Sequence, residues 1–209
     1  MIDDRYGAHL GMRHLIQHGH RRIAFINGPS GWYPSEHRLL GYQDALAELP
    51  VPFDPSLVKE GDWEVQGGYH ALKELLALPQ LPTAIFAGND LMALGAIYSL
   101  EEAGLRVPED IAVVGYDDRE IASLSRPRIT TVKIPCYEMG TAGARMLLEL
   151  LENRTNVADP VYVKGELIVR ESCGGREGKI SLEDYHSETT PPQLRRRERS
   201  GDTPNDQAQ

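Results

Sequence analysis

The chain has 209 residues, 41% hydrophobic and 25% charged, which is typical of a globular protein with one large domain or two small ones. A formal net charge of −9 argues against nucleic-acid binding by bulk electrostatics, and two cysteines are too few for a disulfide framework. The first residues, MIDDRYGAHLG, do not resemble a signal peptide, and no apolar run approaches the ~18 residues of a membrane helix, so we expect a cytoplasmic protein without membrane contact.

Helical and strand patterns alternate along the chain through residue 172. Helices are predicted where apolar side chains recur every three or four residues, at 7–18, 36–49, 65–77, 90–103 and 136–152. Strands are predicted in short apolar runs, at 22–27, 57–63, 83–88, 110–118, 130–135 and once or twice within 160–172. This alternation predicts an α/β protein with right-handed crossovers and a mostly parallel sheet that is covered on both faces.

Residues 174–209 have a different character. They are polar, rich in turn formers and almost without apolar periodicity, which predicts a disordered tail. The sequence RRRER at 195–199 is compatible with a nucleic-acid or targeting signal. Because the tail contains six basic and seven acidic residues, a solvated segment is the favoured interpretation.

Four of the predicted strands end in glycine followed by polar or aromatic residues. The four ends are Gly28-Pro29, Gly61-Asp62-Trp63, Gly88-Asn89-Asp90 and Gly115-Tyr116-Asp117-Asp118. Since the carboxyl ends of parallel strands share one edge of a sheet, and ligands bind outside that edge, these clusters are expected to converge on a site.

The residue types at this edge suit a polyhydroxylated ligand. Asn89 and Asp117 offer groups that hydrogen-bond hydroxyls, Arg38 offers a guanidinium fork, and the indole of Trp63 can pack on a sugar ring. Each residue also has a purely structural interpretation. Asn89 can cap a helix, Asp117 can form a turn, Trp63 can belong to the core and Arg38 can lie on the surface.

Catalytic and metal-binding patterns are weak. The sequence lacks a phosphate-loop, dinucleotide or nucleophile-elbow motif. His14 and His18 have the spacing of a metal-binding pair, but no third ligand is evident, and neither Cys136 nor Cys173 has a nearby cysteine partner. We therefore predict a non-enzymatic protein with no catalytic residue, metal or cofactor.

Several motifs together resemble the sensor part of the LacI/GalR (lactose and galactose repressor) family over residues 2–172. They are GHRRIAFINGP at 19–29, RLLGYQDAL at 38–46, GDW at 61–63, PTAIFAGNDLMALGA at 82–96, VPEDIAVVGYDD at 107–118, and ITTVKIP at 129–135 with MG at 139–140. The resemblance implies a periplasmic-binding-protein-like (type I) fold, in which two α/β lobes enclose a small effector such as a sugar or nucleoside-like compound.

The resemblance also implies specific ligand contacts. By motif they are Arg38, Trp63, Asn89 and Asp117, together with Asp3 in IDDRYGA, which the strand-end pattern does not indicate. Ile134 stands where some relatives have a polar contact, so the resemblance does not extend to that contact.

The resemblance further divides the chain into parts. Residues 20–133 and 164–173 would form a complete C-terminal lobe with a doubly wound parallel sheet. Residues 1–19 and 136–163 would form only part of an N-terminal lobe, and the helix within 136–152 would expose an apolar face. That face would include Met146, Leu147, Leu150 and Leu151.

The family's helix-turn-helix domain has no counterpart in this sequence. The resemblance therefore implies a transcriptional regulator that contacts DNA only through that domain, and a homodimer when full-length. A solute-binding protein of a transport system shares the fold and is the main alternative. An enzyme on a doubly wound sheet is a third class, and a histidine or cysteine in the strand-end crevice would favour it.

Overall fold

A computed structural model describes residues 1–48, 52–153, 160–181 and 184 of the chain. The strands are β1 (Ile23–Asn27), β2 (Val58–Glu60), β3 (Ala84–Ala87), β4 (Ala112–Asp117), β5 (Thr130–Lys133), β6 (Glu166–Val169) and β7 (Gly178–Ile180). The helices are α1 (Asp4–Gln17), α2 (Tyr33–Ala47), α3 (Val65–Leu76), α4 (Asp90–Glu102), α5 (Glu120–Leu124) and α6 (Cys136–Asn153), and a 3-10 turn spans Pro55–Leu57.

The seven strands form one sheet in the order β2-β1-β3-β4-β5-β6-β7. Strands β1 to β5 are parallel, and β6 and β7 pair antiparallel at one edge. The strand order reverses between β1 and β3, which is the topological switch point of a doubly wound sheet. The predicted mostly parallel α/β fold is confirmed.

Helices cover both faces of the sheet because successive strand residues point to opposite sides. Helices α1 and α2 pack on the face that carries Phe25 and Phe86. Helices α3 and α4 pack on the face that carries Ile26 and Ile85. Both cores consist of buried apolar side chains. The sequences of the central strands are therefore continuous apolar runs, without alternation of apolar and polar residues.

Helix α1, which lies in the part of the chain that the predicted division assigns to the N-terminal lobe, packs on the sheet. Its side chains Leu10, Met12 and Leu15 are fully buried in the core that α1 shares with α2 and the sheet. A β-carbon on Gly41 would lie 2.2 Å from the Arg5 carbonyl oxygen, so the two helices meet at backbone distance. The apolar stripe of α1 is therefore covered by α2 and the sheet.

Helix α6 shows the exposed apolar face that the sequence predicts. Leu147 and Leu151 are 58% and 68% exposed, and Leu148, which the prediction did not include, is 60% exposed. Met146 and Leu150 are half-buried. None of the described helices is both long and apolar enough to cross a bilayer.

The C-terminal part differs from its prediction. Within 160–172 the structure has a single strand, β6, besides an isolated bridge between Ile2 and Val163. Strand β7 lies at 178–180, where the sequence predicts a disordered tail, and it pairs with β6 from Leu167 to Val169. The tail prediction is wrong for this strand. Beyond residue 181 the tail, Asp184 excepted, lies outside the described residues, as does the basic cluster at 195–199.

Candidate functional site

The ends of the parallel strands meet at the switch point, as the strand-end pattern predicts. The Gly61 amide donates to the Asn27 carbonyl at 2.8 Å, and the Gly88 amide donates to the Ile26 carbonyl at 2.7 Å. The Asn89 side-chain amide donates to the Trp63 carbonyl at 2.8 Å. Residues that are distant in sequence therefore form one continuous edge next to α2.

Arg38 links two of these strand ends to helix α1. Its guanidinium donates from Nε to Asp4 Oδ1 at 2.8 Å and from Nη1 to the Gly88 carbonyl, and its Nη1 lies 3.5 Å from Asp117 Oδ1. Its Cζ lies 3.7 Å from the centroid of the Tyr116 ring, a cation–π distance. Arg38 is only 5% exposed, which excludes its interpretation as a surface helix residue.

Trp63 forms an aromatic wall of the site. Its backbone has a φ of 70°, a conformation unusual for a bulky side chain. A β-carbon on Gly28 would lie 1.9 Å from the indole Cζ2, so the glycine after β1 is what lets the ring lie against the backbone. Its Nε1 has no hydrogen-bond partner among the described residues.

Asn89 caps a helix, in agreement with its purely structural interpretation. It also links two strand ends. Its Oδ1 accepts from the Met92 amide at 2.9 Å, which caps α4, while its Nδ2 binds the Trp63 carbonyl. The same side chain thus fixes the start of α4 and the position of the indole.

Asp117 ends β4 in a left-handed turn, with a φ of 106°, and Asp118 follows with a φ of 57°. Burial raises the pKa of the Asp117 carboxyl to about 6, although Arg38 and Arg119 lower it. With its side chain 21% exposed, Asp117 is the most accessible member of the Arg38–Asp4–Asp117 cluster.

Asp3 does not join this cluster. Its carboxylate accepts from the Tyr6 amide at 2.9 Å and caps α1, and its own amide donates to the Val163 carbonyl at 2.9 Å. The neighbouring Asp4, which is 3% exposed, makes the ion pair with Arg38 instead. The structure therefore brings together Arg38, Trp63, Asn89 and Asp117, and places Asp3 beside them as a helix cap.

Asp4, Asp90, Tyr116 and Thr131 also belong to this site, and sequence reasoning did not select them. The carboxylate of Asp90 accepts from Thr131 Oγ1 at 2.6 Å and from the Arg119 amide at 2.7 Å. Asp90 stands within the predicted Gly88-Asn89-Asp90 cluster, but only the tertiary contacts distinguish its role from that of an exposed helix-start carboxylate.

Aromatic side chains surround the start of α2 near this edge. Trp32 is 57% exposed, and the Tyr33 ring stacks on His37 with centroids 3.7 Å apart. A hydrogen bond with Tyr162 is the main cause that raises the pKa of Tyr33 to about 12. These rings add accessible apolar surface to a polar edge.

Comparison with known proteins identifies the family. The model of the periplasmic binding protein-like domain matches residues 12–173, which is most of the chain. The chain belongs to this family. The solved complex of the transcriptional regulator CelR with cellobiose is 40% identical, with a TM-score of 0.77, and the match covers 82% of this chain and 52% of CelR.

Curated relatives are transcriptional repressors. The probable repressor ExuR of Bacillus subtilis is 37% identical over 172 residues, covering 82% of this chain and 52% of ExuR. The repressor PurR of Shigella sonnei is 36% identical over 173 residues, covering 82% of this chain and 51% of PurR. The chain thus spans about half the length of these relatives, and its predicted resemblance to the sensor part of LacI-family regulators is confirmed.

Proposed function

We propose that this chain is the effector-binding part of a LacI-type transcriptional regulator and that its effector is a carbohydrate. The observation that supports this best is the cluster at the switch point, where Arg38, Asp117 and Asn89 lie beside the indole of Trp63. Small ligands of doubly wound sheets bind at this place in the fold.

The chemistry of the edge favours a neutral ligand rich in hydroxyls. Carboxylate oxygens accept from hydroxyl groups, and the remaining guanidinium N–H groups of Arg38 donate to them. Arg38 already faces the carboxylates of Asp4 and Asp117, so it has little positive charge left to compensate an anionic ligand. The face of the Trp63 ring supplies the apolar surface that the C–H face of a sugar needs.

The second half of the binding cleft would come from the N-terminal lobe. Segments 1–3 and 161–163 run side by side next to the site, where the Val163 amide donates to the Met1 carbonyl at 2.8 Å. We infer that these segments belong to the hinge and that ligand closes the lobes around it. Closure changes DNA affinity only if the ligand binds the open and closed states differently.

The relatives described above are transcription regulators, which favours this function over a solute-binding protein of a transport system or an enzyme. We infer that DNA is bound by a helix-turn-helix domain outside this sequence. We also infer that the full-length protein is a cytoplasmic homodimer.

A thermal-shift panel on the full chain tests the proposed effector class. The panel contains cellobiose, ribose and glucose, the anionic sugar glucuronate, and adenosine and hypoxanthine as flat nitrogenous rings. A ligand that binds only the folded state raises the melting temperature, and the shift grows with the logarithm of the ligand concentration above its Kd. We expect stabilisation by at least one neutral sugar and none by glucuronate. Stabilisation by the nucleobase or nucleoside alone, or by no compound at millimolar concentration, would contradict the carbohydrate proposal.

A further inference from the structure

Asp90 is a completely buried carboxylate at the start of α4, and both of its oxygens face donors. Oδ1 accepts from the Thr131 hydroxyl on β5, and Oδ2 accepts from the Arg119 amide just after β4. A β-carbon at Gly115 would lie 2.4 Å from Asp90 Oδ1, so β4 has a glycine where the carboxylate needs space. Asp90 therefore ties the start of α4 to two neighbouring strands.

The segment that Asp90 holds is the left-handed turn at Asp117 and Asp118. Positive φ values at two consecutive residues other than glycine are unfavourable unless surrounding contacts fix them. Here the Asp118 amide donates to Thr131 Oγ1 at 3.3 Å, and Arg170 donates to Asp118 Oδ1 at 2.6 Å. The Thr131 hydroxyl thus connects Asp90 with the turn that presents Asp117.

The charges around Asp90 oppose its ionisation. The pKa of Asp90 is raised to about 7: burial is the largest cause and the carboxylates of Asp117 and Asp118 add to the rise, while the hydrogen bonds from Thr131 and the Arg119 amide oppose it. The two neighbouring carboxylates are themselves partnered from other elements, Asp117 by Arg38 on α2 and Asp118 by Arg170 after β6.

Protonation changes the direction of hydrogen bonding at this point. The Arg119 N–H is fixed by the backbone and can only donate, so a proton on Asp90 belongs on Oδ1. There it can be donated to Thr131 Oγ1 once the hydroxyl rotates away. The bonds that Asp90 makes to the Arg119 amide and to Thr131 then lose their charge assistance, and charge-assisted bonds are roughly twice as strong as neutral ones, so the turn loses part of its support.

We propose that Asp90 is a positioning residue for the effector site: its ionised form, through Thr131 and the Arg119 amide, holds the turn that presents Asp117, and proton uptake by Asp90 loosens that turn. The effect on ligand affinity rests on the proposed function. The effect on the turn does not require a ligand.

Amide NMR of the full chain, titrated from pH 5 to pH 8.5, tests the effect on the turn. Asp117→Asn is the background for this experiment, because Asp117 also takes up a proton in this range next to the observed amides. In Asp117→Asn we expect the Asp118 and Arg119 amides to titrate with one common midpoint, and the added change Asp90→Asn should abolish this titration. Thr131→Val, which removes a hydrogen bond to the ionised carboxylate, should move the midpoint upward, and Thr131→Ser should restore it.

The results that overturn the proposal are equally specific. Amides that do not titrate in Asp117→Asn contradict it, as does a midpoint that is the same in Thr131→Val and Thr131→Ser. Because the threonine variants carry this comparison, the test does not depend on Asp90→Asn folding.

Calorimetry with cellobiose at pH 6 and pH 8 tests the link to binding. We expect affinity to be several-fold weaker at pH 6 in the unmodified chain and the dependence on pH to be smaller in Asp90→Asn, where only Asp117 still takes up a proton in this range. Equal affinity at both pH values, with titrating amides, would overturn the link to binding. If cellobiose does not bind at either pH, the neutral sugar with the largest thermal shift replaces it. If no neutral sugar binds, the result counts against the proposed function, and the amide titration still decides whether Asp90 holds the turn.

Discussion

The buried guanidinium of Arg38 is the residue on which the geometry of the site depends most. It is bonded to α1 through Asp4, to the end of β3 through the Gly88 carbonyl, and it faces Asp117 at the end of β4. Because Asp4 is 3% exposed, its charge is compensated mainly by this one cation. Arg38 therefore stabilises the fold and shapes the ligand-facing edge at the same time.

Replacement of Arg38 by methionine should destabilise the protein strongly, because a buried carboxylate then loses its partner. Removal of one member of a buried ion pair costs about 3–5 kcal/mol. Urea denaturation at pH 7.5 measures the loss.

Arg106→Met is the matched control, since Arg106 pairs with Asp110 on the surface with its side chain 70% exposed. We expect little change in unfolding free energy for this variant. If Arg38→Met were as stable as the control at pH 7.5, Arg38 would not be the compensating partner of Asp4.

The sequence predicted which strand ends lie close together better than it predicted which side chains bond to each other. Glycine at each strand end indicated where backbone segments converge, and parallel strand order fixed the edge. The choice between Asp3 and Asp4 as the partner of Arg38 depends on how α1 is rotated on the sheet. The hydroxyl of Thr131 lies inside a run, TTV, that reads as an ordinary strand. Such contacts arise from packing over long sequence separations, and no local pattern encodes them.

At the scale of secondary-structure elements, α1 and α6 both have an apolar stripe, but only that of α1 is buried. The stripe of α1 is covered by α2 and the sheet, whereas α6 leaves Leu147, Leu148 and Leu151 exposed. Periodicity predicted both helices correctly. It could not indicate that α1 packs on the sheet, because an amphipathic helix shows which face is buried but not against which partner. The short helix α5 and strand β7 have too few residues to show a period.

Replacement of Leu148 and Leu151 on α6 by glutamine should leave the free energy of unfolding within about 0.5 kcal/mol of the unmodified value, as for other surface substitutions. Binding of a hydrophobic dye to the native chain should decrease, since these side chains supply exposed apolar area. Leu15→Ala on α1 is the buried counterpart and should cost about 2–5 kcal/mol. Destabilisation by the α6 changes comparable to that of Leu15→Ala would mean that α6 is packed in solution.

At the scale of the whole molecule, the proposed effector site lies at one end of the sheet. The carboxyl ends of the parallel strands carry the polar cluster and the Trp63 ring. The paired segments 1–3 and 161–163 and the start of α6 lie at the same end of the sheet. The opposite end of the sheet carries surface pairs such as Arg106 with Asp110. The proposed ligand site and the proposed hinge are therefore on one side of the molecule, which is the arrangement that direct coupling of ligand contact to lobe closure requires.

The most direct measurement is calorimetric. The sugar that gives the largest thermal shift is titrated into three proteins: the unmodified chain, Asp117→Asn and Asp110→Asn. Loss of one charged hydrogen bond costs about 1.5–3 kcal/mol, so Asp117→Asn should bind about tenfold or more weakly. Asp110→Asn, on the far side of the sheet, should bind with unchanged affinity. Equal affinity in all three proteins would contradict the placement of the effector site at the carboxyl edge.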